Sequence, residues 1–322
     1  MNGLASAATL FFIACGLFLA VGVVVSTLGV GVFRMMLPRF SPELRHRVLL
    51  VLGCAPALLA FTLLTSSLLP SAFAWLSGTE DHCLVHADHH LHLCFVHLPR
   101  LGKVIGGIAA ISSFIVVMEL AAATLALLQL RRAHRVFEAL STTSAKADGV
   151  NVVETEDTVC LTAGLWSPAI YISRRLFETL SDEQRRIVVD HERAHVARRD
   201  ALAALVARSC SRLHWPAIRR WLLRELELAA EQACDEAAAL QTDRLAVAET
   251  ILLVARGAPA QPFAVAFGDS ALERRVQSML QPRRSSRTGP FFMGVAALLS
   301  LVLLSAAGVH HAAESVLSVL IE

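Results

Sequence analysis

Charge is scarce in this chain. Only 17% of its 322 residues are charged, the formal net charge is +2 and aromatics make up 6%. No basic stretch is interleaved with aromatic side chains in the way single-strand binding requires, which excludes direct contact with nucleic acid. Cysteine is almost as uninformative. Of seven, Cys15 and Cys54 fall in apolar runs and Cys160, Cys210 and Cys234 are scattered, leaving Cys83 and Cys94 as a local pair. The first apolar run has no charged n-region before it and far exceeds a signal core, so it does not read as a cleaved leader.

What is present in quantity is apolar surface. With 55% hydrophobic residues and a mean hydropathy of +0.57, the composition is that of a membrane protein with several spans and one modest domain. Four runs, roughly 4–33, 48–76, 104–130 and 290–308, approach or exceed the ~20 residues of a spanning helix. Arg34, Arg39, Arg45 and Arg47 follow the first, Arg131, Arg132 and Arg135 follow the third, and Arg283, Arg284 and Arg287 precede the fourth. Because Lys and Arg of short loops stay cytoplasmic, the three clusters agree on one orientation. The expected organisation is three transmembrane helices over 1–130, with an Arg-rich cytoplasmic loop at 34–47 and an external loop at 77–103. A cytoplasmic domain at 131–288, a fourth span at 289–309 and a short external tail at 310–322 complete it, with both termini outside.

The external loop holds Cys83, Cys94, His86, His89, His90 and His92 within SGTEDHCLVHADHHLHLCFVHLPRLGK. That composition suits either a metal ion or a disulfide surrounded by solvated histidines. Glu119 lies in the third span, where an ionisable group marks function unless it reaches the headgroups. Pro56 and Pro70 are expected to kink and to end the second spanning helix.

In the cytoplasmic segment, 150–154, 158–161 and 169–173 read as short strands between turn residues. Helices are predicted from Ser181, over 201–213, from Pro216 at the first turn of 216–240, and over 244–255. The helix from Ser181 carries His191-Glu192-x-x-His195. Positions i and i+4 share a helix face, so the two imidazoles can bind one metal, with Glu192 beside it as general base. Ser181 with Gln184 three residues on forms a capping box. A catalytic zinc needs a third ligand, and the helix from Pro216 offers Glu227, Glu231 and Asp235 at steps of four. Three like charges on one face call for a cation opposite them.

These residues resemble the H-E-x-x-H plus E-x-x-x-D pattern of gluzincins. More closely, GLWSPAIYIS, LFETLSDEQ, HERAHVARRD and EQACDE are similar to the BlaR/MecR family of membrane zinc peptidases. The resemblance implies a multi-pass α-helical membrane protein with a cytoplasmic α+β zincin-like (gluzincin) metallopeptidase domain holding one Zn2+. It implies His191, His195 and Glu231 as ligands, Glu192 as base and Asp235 as the carboxylate orienting a ligand histidine, with Glu227 in reserve. Ala169, Ile170, Tyr171 and Ile172 would form the edge strand for an extended substrate, and Asp200 is read as structural. The implied substrate is a winged-helix repressor of the BlaI/MecI kind, with self-cleavage as a step. QPRRSSR at 281–287 is either that cleavage segment or a basic membrane flank.

Two departures qualify the resemblance. Only VHHAAESVLSVLIE follows the fourth span, and no S-x-x-K motif occurs, so β-lactam sensing is not implied. The sole tyrosine, Tyr171, lies on the expected edge strand, and no residue identifies itself as the oxyanion donor. A heat-shock-type quality-control protease is the alternative within the same chemistry, and a metal-binding transducer or transporter is the alternative outside it. Intramembrane cleavage is excluded because Asp182, Glu183, Arg185, Arg186, Arg198 and Arg199 flank the motif. Oligomeric state leaves no sequence signal.

Overall fold

The computed structural model describes residues 2–77, 103–140, 150–155, 157–165, 167–257, 268–283 and 289–321. Cys83, Cys94, His86, His89, His90 and His92 lie outside the described residues, as does most of QPRRSSR. The chain divides into two compact units, one of residues 1–31, 54–121 and 287–322, the other of 32–53 and 122–286.

The first unit is helical. It takes parts of α1 (Asn2–Met36), α2 (Pro42–Ser77) and α3 (Lys103–Leu140), then α10 (Gly289–Leu304) and α11 (Ala306–Ile321). Among the described residues three stretches are long and apolar enough to cross a membrane, Phe11–Arg39, Pro42–Pro70 and Ala109–Arg132, whereas the apolar helix Phe291–Leu304 is shorter. Ile13, Ala14, Phe18, Ala109 and Ala313 form a common core. A Cβ on Gly22 would come 2.6 Å from the Pro56 carbonyl oxygen, so the close approach of α1 and α2 requires glycine there.

Pro70 does not end α2, which runs on to Ser77. Proline frees a carbonyl one turn back, and in an apolar unit that group needs a partner. The carbonyl that Pro70 leaves without its helical donor is that of Ser66, and the next one, of Ser67, accepts from buried His310 Nδ1 at 2.5 Å. The residues from 310 onward are helical in α11.

The second unit carries the motif. Strands β1 (Val150–Val153), β2 (Cys160–Ala163) and β3 (Ala169–Ser173) form a sheet in the order β1-β3-β2. β3 pairs in parallel with β1 and antiparallel with β2. Ala169, Ile170, Tyr171 and Ile172 therefore lie on the central strand, and the expectation of an edge strand there is corrected. Both backbone edges of β3 are already hydrogen-bonded, so no peptide can add to it. Among the described residues the outer edge on the motif side belongs to β2. Gly164, at φ +111°, begins the β2–β3 connection, and a Cβ there would meet the Ser167 carbonyl oxygen at 2.6 Å.

One face of the sheet packs Val150, Val152, Ile170 and Ile172 against Leu176 of α4 (Arg174–Thr179) and Val188 and Val189 of α5 (Asp182–Arg198). The other side of α5 meets α7 (Pro216–Ala238), α8 (Arg244–Gly257) and α9 (Gly268–Leu280) through Ile187, Ala238, Val247, Ala248, Ile251 and Met279. Between α5 and α7 runs α6 (Asp200–Cys210). Residues 32–53 join this unit through the Arg45 guanidinium, which donates to Gln232. The Leu52 carbonyl, 3.0 Å from His214 Nε2, makes a second link.

Candidate metal centre

Helix α5 begins as its sequence dictates. The Ser181 hydroxyl accepts from the Gln184 backbone N–H and the Gln184 side chain accepts from that of Ser181, which satisfies two N-terminal donors. One face then brings His191 and His195 together, with their Nε2 atoms 3.2 Å apart. Helix α7, started by Pro216 at its first position, packs on α5, with Ala238 and Ile187 in one core cluster. That packing puts Glu231 against both rings, its Oε2 3.5 Å from His191 Nε2 and its Oε1 3.5 Å from His195 Nε2. The three side chains offer ligand atoms within 4.8 Å of one another.

These separations test the fit of a metal. Ligands on tetrahedral arms of about 2.0–2.2 Å lie roughly 3.3–3.6 Å apart. The observed edges match zinc, and the donors, two imidazoles and a carboxylate, suit it chemically. Glu227 lines the same cleft one turn earlier on α7, but it stands outside the ligand cluster.

Each histidine is aimed from behind by an acid. His191 Nδ1 lies 2.9 Å from Asp235 Oδ1, and His195 Nδ1 lies 2.8 Å from Asp200 Oδ2. A carboxylate there accepts the Nδ1 proton and turns Nε2 toward the cluster. Burial opposes a positive charge on either ring, but hydrogen bonds to Asp235 and Glu231 raise the pKa of His191, and those to Asp200, Cys234 and Glu231 raise that of His195. Both imidazoles are thus made more basic.

Asp200 reaches His195 because Arg199, between α5 and α6, adopts φ 55° and ψ 43°. This left-handed conformation costs a non-glycine residue on the order of 1 kcal/mol. It turns the chain sharply enough to bring the first residue of α6 back onto α5. Asp200 also accepts from Cys234 Sγ at 3.6 Å and from Arg198 at 3.2 Å, and lies 3.8 Å from His46 Nε2. Its reading as purely structural is too narrow, since it holds a histidine of the cluster.

The acidic face of α7 meets a cation from α9. Arg275 donates to both oxygens of fully buried Asp235 at 2.9 and 2.7 Å and lies 2.9 Å from Glu231 Oε2. Burial would raise the Glu231 and Asp235 carboxyls, yet Arg275 and the histidines hold both below their ordinary values. Removing one partner of such a buried pair strands the other charge. Arg275→Met is expected to destabilise the second unit by about 3 kcal/mol, seen as earlier unfolding of the full chain in detergent, with Arg275→Lys intermediate because it loses the bidentate fork. Unchanged unfolding in Arg275→Met would contradict this.

Glu192 is 7% exposed, and its Oε2 accepts from the Thr162 hydroxyl at 2.8 Å. Thr162 lies on edge strand β2, two residues from Cys160 and therefore on the same face. Burial, with the adjacent Glu192 charge, pushes the Cys160 thiol well above its ordinary pKa. Tyr171 is fully buried in β3. Around these groups opens a cleft of about 890 Å3 lined by β2, α5, α6 and α7 residues.

Thr162, Arg275 and His46 carry no local sequence signal for the site. Each arrives from an element distant in the chain. Asp200 had one, its place five residues after His195 directly beyond the helix end.

Residues 102–279 match the family described as BlaR1 peptidase M56. A search of curated proteins finds no match.

Proposed function

The chain belongs to the BlaR1 peptidase M56 family, and on that premise we propose that it is a membrane-anchored zinc endopeptidase of signal transduction. Its proposed substrate is a cytoplasmic winged-helix repressor of the BlaI/MecI kind, with self-cleavage as a step. The observation that carries the peptidase chemistry is the convergence of His191 Nε2, His195 Nε2 and both Glu231 oxygens in a cleft that Glu192 also lines. The repressor as substrate comes from the family. The three arginine clusters support a cytoplasmic metallopeptidase domain with both termini outside.

His191, His195 and Glu231 would hold a zinc ion, which would supply Lewis acidity to the substrate carbonyl and to the attacking water. Glu192 takes the proton of that water and hands it to the leaving amine. Thr162 fixes which way the Glu192 carboxylate faces, and Asp235 and Asp200 fix the two histidine tautomers. The outer edge of β2 offers main-chain N–H and C=O groups to an extended peptide. Substrate pairing and base orientation thus meet on one strand.

Loss of the Thr162 hydroxyl removes a charge-assisted hydrogen bond. Thr162→Val is expected to lower kcat roughly 10-fold, with KM and bound zinc little changed, and Thr162→Ser to restore it. Equal kcat in wild type and Thr162→Val would show that Glu192 does not depend on this contact.

The function is tested by co-expressing the chain with a winged-helix repressor encoded beside it and following the repressor by immunoblot. A single discrete cleavage that requires Glu192 supports the proposal. An intact repressor, with unfolded proteins degraded instead, would move the function to membrane quality control.

A further inference from the structure

The cleft extends well beyond what a metal ion and a water need. Its volume of about 890 Å3 lies near the top of the roughly 300–1,000 Å3 range of pockets that bury whole ligands. Two helices lead away from the ligand cluster along it, in opposite chain directions. Helix α6 starts at Asp200, against His195, and its cleft-lining residues run Asp200, Ala201, Ala204, Arg208. Helix α7 reaches the cluster at Glu231, and its lining residues run back through Glu227, Arg224 and Arg220.

At 1.5 Å of rise per residue, Arg208 stands about 12 Å along the axis from Asp200, and Arg224 and Arg220 stand about 10 and 16 Å from Glu231. Apart from Arg199 and Arg275 near the cluster, the basic lining residues of both helices stand farther from it than the acidic ones. Arg208 acts electrostatically on Glu227 of the facing helix, which places the two walls within reach of each other there. Arg208, Arg220 and Arg224 are all exposed, and Glu227 is the acidic lining residue on this stretch of α7. The lining at this end holds three arginines and one carboxylate.

Resting on the peptidase function above, we propose that this end of the cleft is a specificity subsite for carboxylate side chains. Arg208, Arg220 and Arg224 take an acidic residue of the substrate peptide three to five positions from the scissile bond. The spacing follows from an extended peptide, which advances about 3.3 Å per residue and so covers 10–16 Å in three to five residues. An anionic lipid headgroup offers the same charge. The peptide is favoured because the arginines line the concavity shared with Glu192 and the ligand cluster, whereas Trp215, 64% exposed at the start of α7, is outside that lining.

The test uses the full zinc-loaded chain in nanodiscs and a peptide library with Glu, Gln or Lys placed singly at each position from the third to the fifth on either side of the cleaved bond. Glu is expected to lower KM relative to Gln on one side, by roughly fivefold for each exposed ion pair formed. The double substitution Arg220→Glu with Arg224→Glu is expected to invert the preference toward Lys, a gain that misfolding cannot produce. Equal KM values for Glu, Gln and Lys overturn the proposal, as does a preference that survives the double substitution. It is also overturned if the effect follows phosphatidylglycerol against phosphatidylcholine in the nanodisc rather than peptide charge. Absence of any cleavage sinks the peptidase function instead. In that event fluorescence anisotropy of the same peptides on Glu192→Gln protein decides the subsite: tighter binding of Glu than Lys peptides upholds it and equal binding overturns it.

Discussion

Glu192→Gln is expected to lower kcat for peptide cleavage by roughly 10²–10⁴-fold while the protein retains its zinc. General base catalysis contributes that much, and Glu192 is a buried carboxylate lining the same cleft as the three-residue cluster, held by the Thr162 hydroxyl at 2.8 Å. The amide keeps the shape of the side chain and can still meet Thr162. It cannot take a proton. Because Glu192 is outside the ligand cluster, metal content by elemental analysis should stay at one ion per chain, separating lost chemistry from a lost site. Cleavage at the wild-type rate by Glu192→Gln would falsify the assignment, and simultaneous loss of zinc would show that Glu192 supports the cluster.

Zinc is expected to leave with Glu231 and to stay with Glu227. Glu231 sets one oxygen 3.5 Å from each histidine Nε2, the spacing of two edges of a zinc tetrahedron, while Glu227 sits one turn away. Glu231→Ala leaves two protein ligands where a catalytic zinc uses three. Its zinc affinity should fall by more than the roughly 10–100-fold typical of losing an orienting partner, the range expected for Asp235→Ala and Asp200→Ala. Competition with a chromogenic chelator measures all four variants on one scale. A Glu227→Ala protein that loses zinc while Glu231→Ala keeps it would move the third ligand by one helical turn.

Features encoded within one helix were legible in the sequence. The capping box at Ser181 and Gln184, the shared face of His191 and His195, and Pro216 at the start of α7 each depend on residues three or four apart, and helix geometry converts that spacing into position directly. The need for a cation opposite Glu227, Glu231 and Asp235 was also visible, since like charges at i, i+4 repel. Its identity was not. Arg275 lies 40 residues beyond Asp235 and reaches it only because Met279 and its neighbours pack α9 against α5 and α8.

The strands mark the limit most clearly. Alternation and turn residues located the first and third and placed the second two residues early, at 158–161 against Cys160–Ala163, but strand order is a relation between segments, and 169–173 proved central where an edge was expected. Gly164 and Pro168 bound the connection without stating which side of β3 the preceding strand takes. Pro70 shows the same limit in a helix: proline weakens α2 locally, while buried His310 sits against the Ser67 carbonyl from more than 240 residues away.

By itself, then, the sequence determined the apolar runs, the H-E-x-x-H helix and the set of carboxylates from which a third ligand had to come, because these follow from composition and fixed helical periodicity. The tertiary structure alone decided that Glu231 meets both histidines, that Asp200 and Asp235 each stand behind one ring, that Arg275 balances the acids and that β2 presents Thr162 to Glu192. Those contacts join residues on different elements, and only packing brings such elements within hydrogen-bond distance.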